Sequence, residues 1–169
     1  MASRLPLLVF VFLVAAGPGV GRQYRNESMR VRSFEPPAPW QIAPQPSYPR
    51  LLCEYSHPDG GRLTLAAQKI TSGTSAESLA LAAKPALEKQ GFSDVKVTAA
   101  DGRAKLEAHM DGNRRFLRQL YLTDANLAYV ISLSANTINE PQMARDLDFV
   151  QHTLVITPNE APPDGGITR

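Results

Sequence analysis

The feature that most constrains this chain is an alternation of apolar and polar side chains that runs from Asp94 to Asn136 and breaks at three short turns. Val95 and Val97, Leu106 and Ala108, and then Leu127, Tyr129, Ile131, Leu133 and Ala135 recur at every second position. That is the spacing at which a strand turns one face to a core. The breaks are Asp101-Gly102, Asp111-Gly112-Asn113 and Asp124-Ala125-Asn126. Asp, Asn and Gly adopt turn geometry at low cost, and connections this short force neighbouring strands to run antiparallel. The pattern predicts strands over 94–99, 104–110, 114–123 and 127–136.

A similar rhythm precedes the meander. Leu51 to Ser56 and Arg62 to Ile70 read as a hairpin closed by His57-Pro58-Asp59-Gly60-Gly61, with Leu63, Leu65 and Ala67 on one face. Met29 to Phe34 reads as a further short strand. Between them, Glu35-Pro36-Pro37-Ala38-Pro39-Trp40 and the later Pro44, Pro46 and Pro49 rule out helix and central strand. Trp40, Ile42 and Tyr48 predict that this stretch is an ordered arm packed on the core.

Two helices complete the pattern. Thr74-Ser75-Ala76-Glu77 has the form of a capping box with Thr74 as the cap, and Leu79, Ala82, Ala83, Ala86 and Leu87 supply an apolar stripe. The helix should reach about Gln90 and end at Gly91, and Pro85 inside it predicts a kink or a division into two short helices. Asn139 is placed to cap a second helix, with Pro141 in its first turn, Gln142 at the capping-box position and Met143, Leu147 and Val150 along one side. Thr153 to Ile156 predicts a short edge strand. The expected architecture is α+β, a central antiparallel sheet flanked by two main helices. With one apolar face per strand, a helix must cover one side of the sheet. The opposite side then shows Thr64, Gln68, Lys96, Thr98, Lys105, Glu107 and His109 to solvent, to the arm around Trp40, or to a partner.

The ends of the chain bear on where it works. Arg4 precedes a dozen apolar residues, Leu5 to Ala16, and then Gly17-Pro18-Gly19-Val20-Gly21, the layout of a secretory signal peptide. Residues 1–21 read as that signal, cut after Gly19 or Gly21, with an uncleaved amino-terminal anchor as the alternative. Residues 22–158 read as a single domain, and 159–169, rich in Pro, Gly and acidic residues, as a disordered tail. The expected location is therefore periplasmic or secreted, and no lipid-acceptor cysteine follows the apolar run.

Composition excludes several functions. The 169 residues carry 18 basic and 16 acidic side chains, too close to balance for a nucleic-acid partner. A lone Cys53 cannot form an internal disulfide and reads as a small buried residue. His57, His109 and His152 stand at no metal-ligand spacing and read as surface residues. Asp59, Asp101 and Asp111 lack the one-residue spacing of a calcium loop. No nucleophile elbow or phosphate loop occurs, so neither a catalytic centre nor a cofactor is expected. Arg114, Arg115 and Arg118 with Lys105 read as a solvated hairpin tip, with a basic patch as the alternative.

The order of elements, the segment from Met29 that ends in Pro36-Pro37-Ala38-Pro39-Trp40, and the helix end Gln90-Gly91-Phe92 resemble the PsbP-like superfamily, and within it the DcrB-like bacterial envelope proteins. The resemblance spans about Tyr24 to Pro158. It implies an α/β/α sandwich without enzymatic activity, acting as an assembly factor, an extrinsic subunit or a chaperone of hydrophobic client segments. The export signal departs from the cytoplasmic secretion-effector chaperones of the DcrB-like branch. The sequence thus predicts an exported, non-catalytic binding or assembly protein of the bacterial cell envelope, probing another envelope protein with a face made of Lys96, Lys105, Glu107, His109, Arg115 and Trp40. A small-ligand or lipid carrier with a pocket between helix and sheet is the second reading. A secreted enzyme built on His109 and Glu107 is the third.

Overall fold

The computed structural model describes residues 23–48 and 50–158, so the expected signal at 1–21 and the expected tail at 159–169 lie outside the described residues. In chain order the elements are β1 (Tyr24–Asn26), β2 (Val31–Phe34), β3 (Gln41–Ile42), β4 (Leu51–Ser56), β5 (Arg62–Lys69), α1 (Ala76–Lys89), β6 (Ser93–Ala100), β7 (Arg103–Met110), β8 (Arg115–Asp124), β9 (Leu127–Asn136), α2 (Glu140–Thr153) and β10 (Val155–Ile156). Seven strands form one antiparallel sheet in the order β3-β4-β5-β9-β8-β7-β6, and β1, β2 and β10 form a small second sheet. The meander expected from the alternation is present, and its register is unbroken from β7 through β8 and β9 to β5: Ala104 faces Tyr121, Tyr121 faces Val130, and Val130 faces Ala66. Asp101 and Gly102 both take positive φ, as a two-residue type I′ turn requires. The short strands β1 and β3 were not anticipated.

The coverage of the sheet departs from the sequence expectation of one apolar side. The apolar side changes over across the sheet. On β6 and β7 the inward residues Val95, Ala104, Leu106 and Ala108 pack under α1. On β4, β5 and β9 the inward residues Cys53, Tyr55, Leu63, Leu65, Ile131 and Leu133 lie on the opposite side, under α2, β2 and the arm. The two registers meet at β8, which is buried on both faces: Leu117 and Tyr121 join the α1 core, while Phe116 and Leu120 join the α2 core. Period two fixes which residues share a face of one strand but says nothing of which face a helix covers.

Small residues set how closely α1 approaches. Ala76 and Ala80 are fully covered against Ala104 and Ala108. The helix is capped by Ser75, whose Oγ accepts from the Ser78 amide at 3.0 Å, and not by Thr74. It is one element, not two, because Pro85 lies on its exposed side, where the carbonyl freed one turn earlier can reach water. It ends in a Schellman motif: the Phe92 amide donates to the Leu87 carbonyl and the Gly91 amide to the Glu88 carbonyl, both at 3.1 Å, with Gly91 at φ 91°. At α2 the expected Asn139 cap does not form. The Asn139 side-chain amide donates instead to the Asp59 carbonyl at 3.2 Å, tying the helix entry to the β4–β5 turn.

The arm is ordered, as Trp40 predicted. Its indole is 1% exposed, and Nε1 donates to Asp146 Oδ2 of α2 at 2.9 Å. Asp146 is itself buried, and its other oxygen accepts from Gln142. Gly61 makes room for this arrangement: a Cβ there would meet Trp40 Cη2 at 2.9 Å and Met143 Cε and Sδ at 3.0 Å. The outer edge of the sheet is β6, where the register with β7 shifts between Ser93 and Lys96 and Asp94 takes φ 54°. Among the described residues no helix is long and apolar enough to cross a membrane.

Two stability changes follow. Gly61→Ala forces Trp40 and Met143 apart and should lower stability by about 1–3 kcal/mol in chemical denaturation, without changing the far-ultraviolet circular dichroism of the native state. Ala125, between β8 and β9, is held at φ 53°; Ala125→Gly removes that left-handed strain and should raise the melting temperature, with a gain of about 0.5–1 kcal/mol.

Candidate functional site

Because α1 covers only the β6–β8 half of its side, the β4–β5–β9 half of that same side stays open. Strand parity decides what it shows. Arg62 faces Ser134, Thr64 faces Ser132, and Ser132 faces Gln119, so these polar side chains form one patch across β5, β9 and β8. The patch floors a trough of about 350 Å³. One wall is the end of α1 and its cap, contributing Leu87, Gln90 and Phe92, and the other is the arm, contributing Tyr48. Gln119 Nε2 donates to Ser132 Oγ at 3.0 Å, and the Tyr121 hydroxyl donates to Gln119 Oε1 at 2.7 Å, which fixes the middle of the floor. A second space of about 620 Å³ is lined by Ala66, Gln68, Ala128 and Val130 of the same side, with Arg50 and Leu52 where β4 stops short of β5.

Arg62 is the most elaborately held side chain in the trough. Its Nε lies 2.7 Å from Glu54 Oε1, and its guanidinium stacks over the Tyr48 ring at 5.3 Å from the centroid. Glu54 Oε2 accepts from the Ser47 amide at 2.8 Å, so one carboxylate binds both Arg62 and the arm. Burial alone would raise the Glu54 carboxyl, but the Ser47 amide and the Arg62 guanidinium outweigh it and hold the group below the usual carboxylate range.

The residues singled out from the sequence separate. Lys96, Lys105, Glu107 and His109 share one face, on the side away from α1. There Lys105 and His109 meet α2 through charge, together with Arg118: Arg118 reaches Glu140 at 2.8 Å and Glu107 at 3.5 Å, His109 lies 3.9 Å from Glu140, and Lys105 lies 3.9 Å from Asp148. Arg115 sits on the opposite side of the sheet, in the trough wall. Trp40 belongs to the core and presents no surface. Arg114, Arg115, Arg118 and Lys105 therefore form no single patch. Thr64 and Gln68, expected beside Lys96, lie on the α1 side because of the change-over at β8. Arg62 was missed as a site residue; its place at the start of β5, in parity with Thr64, was the available signal.

Nucleophile and base candidates are engaged elsewhere. His57, expected at the surface, is buried: its ring meets Trp40 edge-on at 5.1 Å between centroids, and Nδ1 accepts from the Asp59 amide at 3.1 Å. Cys53 is buried as expected, and burial pushes its thiol up to about 12. Among the described residues no three His, Cys, Asp or Glu side chains group so as to hold a metal ion.

No protein-family model matches the chain, and no curated protein matches it in sequence. Solved structures match it in shape. The solution structure of cyanobacterial PsbP (CyanoP) from Synechocystis superposes with a TM-score of 0.60 at 14% identity, over 85% of this chain and 96% of that one. A crystal structure from Bacteroides thetaiotaomicron superposes with a TM-score of 0.56 at 14% identity, over 85% of this chain and 51% of that one, so this chain spans about half its length. The fold is PsbP-like: a mixed α+β arrangement with a seven-stranded antiparallel sheet, a three-stranded sheet and two helices.

The buried thiol and hydroxyls make a pH prediction. Burial also pushes the Tyr121 hydroxyl up to about 12. Both groups favour the neutral form in the folded state, so their contribution to stability is complete below their unfolded values near 9 and 10 and is lost as pH rises toward 12. Stability measured by denaturation should fall over that alkaline window, less steeply for Tyr121→Phe. Cys53 should resist a thiol reagent at neutral pH in the native protein and react once the protein is unfolded, since burial both covers the sulfur and favours the un-ionised thiol.

Proposed function

We propose that this is an exported, non-catalytic binding or assembly protein of the bacterial cell envelope, of the DcrB-like kind, and that the open trough on the α1 side is its working surface. The observation that carries the reading is the uncovered half-face. Three strands of a central sheet present a polar floor between two walls, a shape that suits a ligand or a partner segment. The PsbP-like fold supports it by lending a rigid floor, since each floor residue sits on a strand paired on both sides or at the β4–β5 hairpin. The placement of Cys53 and His57 within the core supports a non-catalytic role.

A small-molecule carrier is the second reading, and it has one observation in its favour: the end of α1 with Leu87 and Phe92 overhangs the trough, giving an apolar wall beside the polar floor. The start of α1 offers no such space, because Ala76 and Ala80 are buried in one cluster with Ala104 and Ala108 of β7.

Filling the trough separates this surface from the charged face predicted by the sequence. Ser134→Trp should abolish capture of the partner from envelope extract by the tagged protein, while Lys96→Glu on the opposite side should leave capture intact. Capture that survives Ser134→Trp, or is lost with Lys96→Glu, would move the working surface to the Lys96–His109 face.

A further inference from the structure

We infer that the Arg62 end of the trough is a binding site for a carboxylate whose apolar tail lies against the α1 wall. The inference rests on the trough as working surface and adds the chemical class of what it takes. Two guanidinium groups line this end, Arg62 from β5 and Arg115 from β8. In the register of the intervening β9 they stand at Ser134 and Asn136, two strands and two residues apart. Strand spacing and rise put their Cα atoms about 12 Å from each other. Side chains of arginine length can close on one small anion across that gap.

The two cations are not neutralised to the same degree. Glu54 takes Arg62 Nε, and its second oxygen is committed to the Ser47 amide. Arg62 Nη2 is left buried with no hydrogen-bond partner among the described residues, and Nε, although 2.7 Å from Glu54 Oε1, makes an ion pair and not a well-formed hydrogen bond. Arg115 makes no ion pair among the described residues and is exposed. One carboxylate against two guanidinia leaves this end of the trough with a net positive charge. A buried guanidinium donor without an acceptor is recovered by an anionic oxygen far better than by a neutral one. Thr64, Ser132 and Ser134 add hydroxyl donors on the floor beside it.

The rest of the lining selects for the tail. Leu51, Leu87, Phe92, Met110 and Leu117 give an apolar wall on either side of the polar floor. The negative pole of α1, which would oppose an anion, is offset by Lys89 in the last turn, and its final carbonyls are taken up by the Gly91 and Phe92 amides. A central-sheet floor also argues for a small ligand over an extended peptide. Thr64 and Ser132 lie on strands paired on both edges, so no backbone groups remain there for strand addition. The volume of about 350 Å³ falls within the range of small-molecule sites.

Calorimetric titration of the full chain with octanoate tests the assignment, with octylamine and octanol as probes of the same length. Saturable binding of octanoate at one per chain is expected, with octylamine and octanol at least tenfold weaker. Arg115→Gln, which breaks no ion pair, should weaken octanoate at least tenfold, and Arg115→Lys should restore part of the loss. Arg62→Gln should weaken it as far, and a thermal melt matching that of the unaltered protein shows that the fold survives the change. Equal binding of octanoate and octylamine, or octanoate binding indifferent to both arginine substitutions, overturns the proposal. So does saturation by an acidic pentapeptide where octanoate fails. Loss of partner capture in Ser134→Trp with no octanoate binding would overturn the carboxylate site and leave the trough standing as a protein-binding surface.

Discussion

The structure depends on one strand having two buried faces. β8 carries Phe116 and Leu120 to one side and Leu117 and Tyr121 to the other. It lets the apolar side of the sheet pass from above to below across its width. A sheet with one apolar side needs one covering layer; a sheet whose apolar side changes over needs two, each covering about half. α1 answers one half and α2, with the small sheet, the other. What is left uncovered is equally fixed: two diagonally opposed polar quarters, one holding the trough and the other the Lys96–His109 face. Both candidate surfaces are thus residues of the same packing solution.

The quarter beneath α2 is held together by the Trp40 arm. The indole fills the core and gives its single donor to Asp146, a buried carboxylate that would be costly unpaired. Gly61 sits under the ring, at the hairpin turn whose Asp59 carbonyl receives Asn139. The arm, the β4–β5 turn and the entry of α2 therefore share one set of contacts. Beyond Trp40 the same arm pairs with β4 as β3, places the Ser47 amide on Glu54 and stacks Tyr48 on Arg62. One wall of the trough is in this way a continuation of the core contact on the other side of the sheet.

Much of the fold was legible because its signals are local. Alternation over eight to ten residues and the Asp101-Gly102 turn gave the meander, and β9 occupies the expected residues 127–136. Trp40 among prolines announced an ordered arm. What escaped depended on contacts distant in sequence. The choice of Ser75 over Thr74 as cap, and the diversion of Asn139 to Asp59, follow from tertiary neighbours that no spacing reveals. His57 reads as a turn residue until Trp40 is laid across it. Asp146 carries no sequence signal of burial; it is buried because the indole of Trp40 reaches it from the arm. The candidate face was half legible: Lys96, Lys105, Glu107 and His109 are together, yet Arg115 crosses to the other side, because parity within β8 says nothing of which side a helix will cover.

The outer strand of the sheet carries a consequence of its own. β6 has a free margin of amide and carbonyl groups along Ser93–Ala100, the kind of border onto which a second polypeptide can zip. Its first stretch is misaligned by the register shift between Ser93 and Lys96, with Asp94 in a left-handed conformation and a lysine at the shift. The kinked, charged start of the border interrupts the ladder that an incoming strand would need between Ser93 and Lys96. The start of this border is thereby poorly suited to pairing with the border of a second copy.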